Sequence, residues 1–271
     1  MSGNHAAAVV APIAPASRQH VPVGTFGEGD PTMAASVAVV IPAYNEEPNI
    51  GRVVAEVREV YPQAQIFVVD DGSSDHTAAR AREAGASVLP LAVNLGIGGA
   101  VQTGLLAALE AGAEYVVRLD GDGQHPPAEA PKILAPVLAG RADFAFGSRL
   151  AAEAGGEKPT FIRRQGIAFF AGLARLLTGL RLRDVTSGFF ACNRRTLAFL
   201  SQHYPTFFPE PEAIIWLHKH GFRIAEVAVM MRPRQGGVSS VNWPKAMFIM
   251  MRVALGMIVT AMRRPVRWKE A

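Results

Sequence analysis

The chain has little of several things that would otherwise define it. A single cysteine, Cys192, in 271 residues excludes an internal disulfide and a cysteine-based zinc site, and it fits a reducing compartment. Charged residues make up only 18%. Lys and Arg form no long run in the central part of the chain, and a net charge of +4 is small for a nucleic-acid binder, so no nucleic-acid partner is expected. Met1 to Pro31 has neither a basic start nor a sustained apolar run, so it reads as lacking a signal peptide. Its Ala, Pro and Gly content predicts a disordered tail over residues 1–35. Apolar residues, at 49%, are plentiful. They suffice for a large core and leave apolar surface for a membrane or a partner.

Hydrophobic periodicity predicts alternating strands and helices. Val37 to Ile41, Gln65 to Val69, Ser87 to Leu91, Tyr115 to Leu119 and Asp143 to Phe146 are short apolar runs of the kind buried in a parallel sheet. Helical spacing connects them over Asn49 to Val60, Thr77 to Ala84, Gly98 to Ala111 and Pro127 to Leu138. The alternation predicts an α/β fold, a mostly parallel sheet with helices on both faces. After Ser148 the rhythm breaks. Ala151 to Pro159 reads as a Gly-rich loop, followed by helices over Gly166 to Leu177 and Glu212 to His220. Strands are expected over Val185 to Ala191 and Phe222 to Met231.

The segment Ala246 to Met262 is almost wholly apolar but contains Arg252 and has basic flanks. Seventeen residues are short for a span and a central arginine is costly in hydrocarbon. An amphipathic helix lying in a membrane interface is the preferred reading. A helix buried on the domain or against a membrane partner, and a true span, are the alternatives. The expected organisation is a tail (1–35), a catalytic domain (36–242) and a C-terminal interface helix (243–271).

The chemistry-bearing residues fall after three strands: Pro42-Ala-Tyr-Asn-Glu-Glu47, Asp70-Asp-Gly-Ser-Ser-Asp75 and Asp120-Gly-Asp-Gly-Gln124. Ligands of open parallel sheets bind at the strands' carboxyl ends, so these loops are expected to meet. Any one of them alone reads equally well as a turn or a helix cap. A leaving diphosphate gains negative charge, which Mg²⁺ or Mn²⁺ held by oxygen ligands stabilises. Asp120 and Asp122 suit such a bridge, with Gly121 allowing a close backbone approach and Gln124 or His125 supplying a further ligand or a substrate contact. Asp70 or Asp71 is placed to bind a nucleoside. Asn94-Leu-Gly-Ile-Gly-Gly mimics a dinucleotide fingerprint but lacks its third glycine and follows the third expected strand, so it does not indicate a dehydrogenase.

Together with Asn94 to Gly99, Gly147-Ser-Arg149, Asp184 to Phe189 and Arg234 to Ser239, these motifs resemble family 2 glycosyltransferases of the GT-A fold. The likeness runs from Val37 to Ser240 and is nearest to the dolichol-phosphate mannosyltransferase-like branch. The resemblance implies that Pro42, Tyr44, Glu46 and Asp71 line the nucleotide pocket. It implies that Asp120, Asp122 and Gln124 bind metal and donor diphosphate, with Gly121 beside them. Arg149 and Arg164 would hold an acceptor phosphate, and Arg234 and Ser239 the donor diphosphate or a closing loop. The family's last motif commonly places Lys after the serine. This chain has Ser240 there, and Arg232 is a substitute cation.

The expected activity is inverting transfer from a nucleotide-diphosphate sugar to a polyprenyl phosphate, for cell-envelope polysaccharide or glycan synthesis. It would take place peripherally, on the cytoplasmic face of the membrane. Some relatives with segments like Phe208 to Glu212 work with a small separate membrane protein, a further expected partner. The rivals are the same fold with a saccharide or protein hydroxyl acceptor, and a non-catalytic sugar-nucleotide binding module. A phosphate monoester, with a second pKa near ~6, is already a nucleophile at neutral pH, whereas a hydroxyl needs a general base.

Overall fold

The computed structural model describes residues 36–150, 161–233 and 243–268. The first half runs β1 (Val37–Ala43), α1 (Glu47–Val60), β2 (Gln65–Asp70), α2 (Thr77–Glu83), β3 (Ser87–Pro90), α3 (Gly96–Glu110) and β4 (Tyr115–Arg118). A 3₁₀ turn (Pro127–Glu129) then leads into α4 (Ala130–Leu138), β5 (Phe144–Ser148) and α5 (Phe161–Thr178). The remainder is β6 (Phe190–Asn193), α6 (Arg194–His203), α7 (Pro209–Lys219), β7 (Ile224–Ala228) and α8 (Trp243–Met262).

The strands form one sheet in the order β3-β2-β1-β4-β6-β5-β7. Every pairing is parallel except those of β6, which runs antiparallel to β4 and β5. β1 is buried along its whole length, as a strand covered on both faces must be. Its side chains alternate between two cores. Val37, Val39, Ile41 and Ala43 face the core filled by α1 and α4, while Ala38 and Val40 face the core filled by α3, α6 and α7. Because β2, β1 and β4 are adjacent, the loops that follow them leave the same edge of the sheet side by side.

Several expectations change. The strand expected over Val185 to Ala191 is β6, displaced to Phe190–Asn193. Residues 184–189 are instead a loop that buries Val185 and Phe189 while Glu226 accepts the backbone N–H groups of Arg183 and Asp184. An apolar alternation thus marked burial rather than pairing. α6 was not expected; Asn193 caps it, accepting from the backbone N–H of Thr196 at 3.0 Å. Helices α5 and α7 also start earlier than the periodicity indicated, α7 with Pro209 at its first position, where proline is favoured. The loop expected over Ala151 to Pro159, the tail over 1–35, Arg234 and Ser239 lie outside the described residues.

α8 packs on the domain. Val253, Met257 and Thr260 are buried, and Gly256 lets the helix approach α7, where an added Cβ would sit 2.6 Å from Glu212 Oε1. Arg252, costly in a span, places its guanidinium 4.6 Å from the Phe207 ring centroid. After α8 the chain turns back, and Trp268 packs edge-on against Phe199. The other face of α8 stays apolar and open, with Met251, Leu255 and Met262 exposed. Among the described residues no helix is long and apolar enough to cross a membrane.

Candidate active site

The loops after β1, β2 and β4 enclose a cavity of about 270 Å³. Pro42, Tyr44 and Glu46 line it from β1, Asp71 from β2, and Asp120, Gly121 and Asp122 from β4. Asn94, Gly96, Ile97 and Ala100, at the start of α3, close it.

The first two loops are laced together. Asn45, at a left-handed φ of 54° that asparagine tolerates better than most residues, donates its backbone N–H to Ser73 Oγ at 2.9 Å. Its own Oδ1 accepts from the Ser74 N–H at 2.9 Å. Glu46 N donates to Thr77 Oγ1 at 2.8 Å. Asp71 is buried and accepts from Leu95 N at 2.7 Å and Gly96 N at 2.9 Å, where the start of a helix favours negative charge. Asp70 instead accepts from Ser73 N within its own turn. Of the two aspartates considered for the nucleoside, Asp71 is the one that lines the cavity.

The acidic loop after β4 packs tightly against β1: a Cβ at Gly121 would lie 3.2 Å from the Pro42 carbonyl oxygen. Asp122 Oδ1 accepts from Gln124 N at 2.9 Å, and the Gln124 side-chain amide donates to Oδ2. Gln124 therefore braces Asp122. His125 does not line the cavity. It is buried, stacks on Phe189 with ring centroids 4.9 Å apart, and lies 3.2 Å from Asp120 Oδ2. Burial holds its pKa below the ordinary value although Asp120 opposes the shift.

Sequence reasoning missed the partner on the other side of Asp120. Arg118, 1% exposed, places Nη2 2.7 Å from Asp120 Oδ1. Its Nη1 donates to the Gly188 carbonyl and lies 3.9 Å from Glu210 Oε1 at the start of α7. Burial pushes the Glu210 carboxyl above its ordinary pKa, against the pull of Arg118. The available signal was a charged residue interrupting the otherwise apolar stretch Tyr115-Val-Val-Arg-Leu119.

Arg149 follows β5, and its Nε donates to Asp184 Oδ2 at 3.1 Å. Asp184 is fully buried and also accepts from Thr186 N and Oγ1. Arg164 is exposed on α5. Other arginines are engaged elsewhere. Arg194 donates to the Ala113 carbonyl, and Arg195 lies over the Phe222 ring. Arg232 donates its backbone N–H to the Gln124 carbonyl at 2.9 Å, which brings it beside the acidic loop, but its guanidinium pairs with Glu56.

Among the described residues no group of three or more His, Cys, Asp or Glu side chains is arranged to hold a metal. Two carboxylates at the cavity nevertheless fit a hard cation of the Mg²⁺ type. Such ions take one or two carboxylates and complete their shell with substrate phosphates and water.

Comparison with known proteins identifies the family and the fold. The profile described as Glycosyl transferase family 2 matches residues 38–199. The chain is 33% identical to the polyprenol monophosphomannose synthase of Mycolicibacterium smegmatis, over 80% of this chain and 84% of that protein. It is 30% identical to the UDP-N-acetylglucosamine–dolichyl-phosphate N-acetylglucosaminyltransferase of Methanococcus voltae, over 71% of this chain and 84% of that protein. The fold is similar to that of glucosyl-3-phosphoglycerate synthase from Mycobacterium tuberculosis, solved with Mn²⁺, uridine diphosphate and glucosyl-3-phosphoglycerate. The TM-score is 0.67 at 24% identity, covering 92% of this chain and 88% of that one.

Proposed function

The chain belongs to glycosyl transferase family 2, and from that premise we infer that it moves one sugar, with inversion, from a nucleotide-diphosphate sugar to a polyprenyl phosphate. The observation that carries this reading is the cavity itself, in which Asp120 and Asp122 face Tyr44, Glu46 and Asp71. Two of the relatives above are named for polyprenol or dolichyl-phosphate acceptors and for different sugars. The acceptor class is what they share.

Tyr44, Glu46 and Asp71, with Pro42, hold the nucleoside half of the donor. Asp120 and Asp122, braced by Gln124, hold Mg²⁺ or Mn²⁺ and the diphosphate. When bound, the ion offsets the negative charge that develops on the departing diphosphate. Arg149, oriented by Asp184, and Arg164 hold the acceptor phosphate. Arg234 and Ser239 serve the diphosphate side in the same proposal. The phosphate oxygen attacks the anomeric carbon opposite the leaving group. The sugar–phosphate bond forms as the sugar–diphosphate bond breaks, and the configuration inverts. The acceptor needs no general base because it is already largely dianionic, with a second pKa near ~6.

The same reading places residues 36–242 as the catalytic domain and the open face of α8 on the cytoplasmic face of the membrane. A small membrane protein is its candidate partner there. The test is incubation of the purified full chain with membranes and labelled nucleotide sugars. The expected product is extractable into organic solvent and labile to mild acid. Label appearing only in water-soluble glycan would replace the lipid phosphate with a hydroxyl acceptor, and no transfer with any common donor would leave a binding module.

A further inference from the structure

Arg118 sits where stability alone gives no reason for a charge. Val116, Val117 and Leu119 around it are apolar and fully buried. Taking a guanidinium out of water costs several kcal/mol even after relaxation, and well-packed apolar residues often do as well or better. The compensation is also incomplete, because Nε is buried with no hydrogen-bond partner. Arg118 does not line the cavity. Its contacts join three separated parts of the chain: Asp120 in the acidic loop, the Gly188 carbonyl and Glu210 in the first turn of α7. Gly188 lies in the loop that begins at Asp184, the partner of Arg149, and a Cβ there would collide with the guanidinium.

We propose that Arg118 is a positioning residue that couples the donor side of the site to the acceptor side. Two prongs of its fork have separate tasks. Nη2 holds Asp120 Oδ1 at 2.7 Å and so fixes the orientation in which the Asp120 carboxylate lines the cavity. Nη1 fixes the loop that carries Asp184 and, through it, Arg149. A lysine has the charge but cannot reach both groups at once. The acceptor half of the proposal rests on the lipid-phosphate reading above; the metal half does not.

The test uses the full-length chain and the substitution Arg118→Lys, with Glu210→Gln as the second variant should the first not fold. Folding is checked by circular dichroism and thermal melting. Mn²⁺ binding in the presence of UDP or GDP is followed by loss of the free-ion paramagnetic resonance signal, which requires neither acceptor nor turnover. Arg118→Lys is expected to weaken Mn²⁺ binding about 10- to 100-fold, the usual cost of losing a residue that orients a ligand. It should also raise the KM for polyprenyl phosphate. Glu210→Gln should act in the same direction, at roughly the tenfold end of that range. Unchanged or tighter Mn²⁺ binding in a folded variant overturns the proposal, as does failure of the unaltered chain to bind Mn²⁺ at all. Weaker Mn²⁺ binding with an unchanged acceptor KM overturns the coupling. If the unaltered chain makes no lipid product yet the variant loses Mn²⁺ binding, the acceptor reading fails while the role of Arg118 at Asp120 stands.

Discussion

The donor side and the lipid side proposed above are held in different ways. On the donor side two of the carboxylates are fixed by backbone donors, Asp71 by Leu95 and Gly96 and Asp122 by Gln124, and the third, Asp120, by the Arg118 side chain. The loops that carry them are tied to one another by Asn45 and Glu46. On the lipid side, Arg149 is oriented by one side chain, Asp184, which comes from a distant loop. The open apolar face of α8 is packed from behind by Val253 and Met257. Backbone anchoring makes the donor pocket a property of its local loops. The proposed lipid side is a property of how later elements dock, so a substitution there should change acceptor binding without changing the pocket.

The largest effect is expected at the donor side. Asp122→Asn keeps the shape and removes the charge, so turnover should fall on the order of 10²- to 10³-fold, the scale for losing a group aimed at developing charge. The melting temperature should be retained. Near-normal turnover in steady-state assays would remove Asp122 from the diphosphate site and erase the contrast.

A smaller effect is expected from Arg149→Lys, which keeps a cation but loses the planar fork. Acceptor KM should rise roughly tenfold, about 1.4 kcal/mol, with donor KM unchanged. A shift in donor KM instead would move Arg149 to the donor side. The smallest effect concerns Leu255→Ser on the open face of α8. Thermal stability should stay within about 0.5 kcal/mol. Sedimentation with anionic vesicles should weaken by about tenfold, the loss of one buried leucine side chain. Unchanged sedimentation would mean that this face is not what meets the membrane.

How much was legible in advance follows the same division. Strands β1 and β2 and their acidic loops could be read because local apolar runs and turn residues define them, and pairing in a parallel sheet did the rest. The loop at 184–189 could not. Val185 and Phe189 look like strand residues, but the Glu226 and Asp184 carboxylates accept the backbone N–H groups of Asp184 and Thr186, which a ladder would have used. α6 was hidden because its signal is one capping asparagine next to a strand placed wrongly. The docking of α8 was open between interface, core and span. Gly256, which admits Glu212, and Arg252, which finds Phe207, settle its packing on the domain.

By itself the sequence determined which residues are acidic, glycine or arginine at each strand end, and hence the class of chemistry, because those choices are local and the sheet brings successive loops to one edge. Tertiary structure alone decided the partners. Arg118 reads as an anomaly in a strand until Gly188 and Glu210 arrive from elsewhere in the chain. Arg149 reads as a free cation until Asp184 folds against it. A buried charge takes its meaning from whatever compensates it, and no local pattern specifies which distant group that will be.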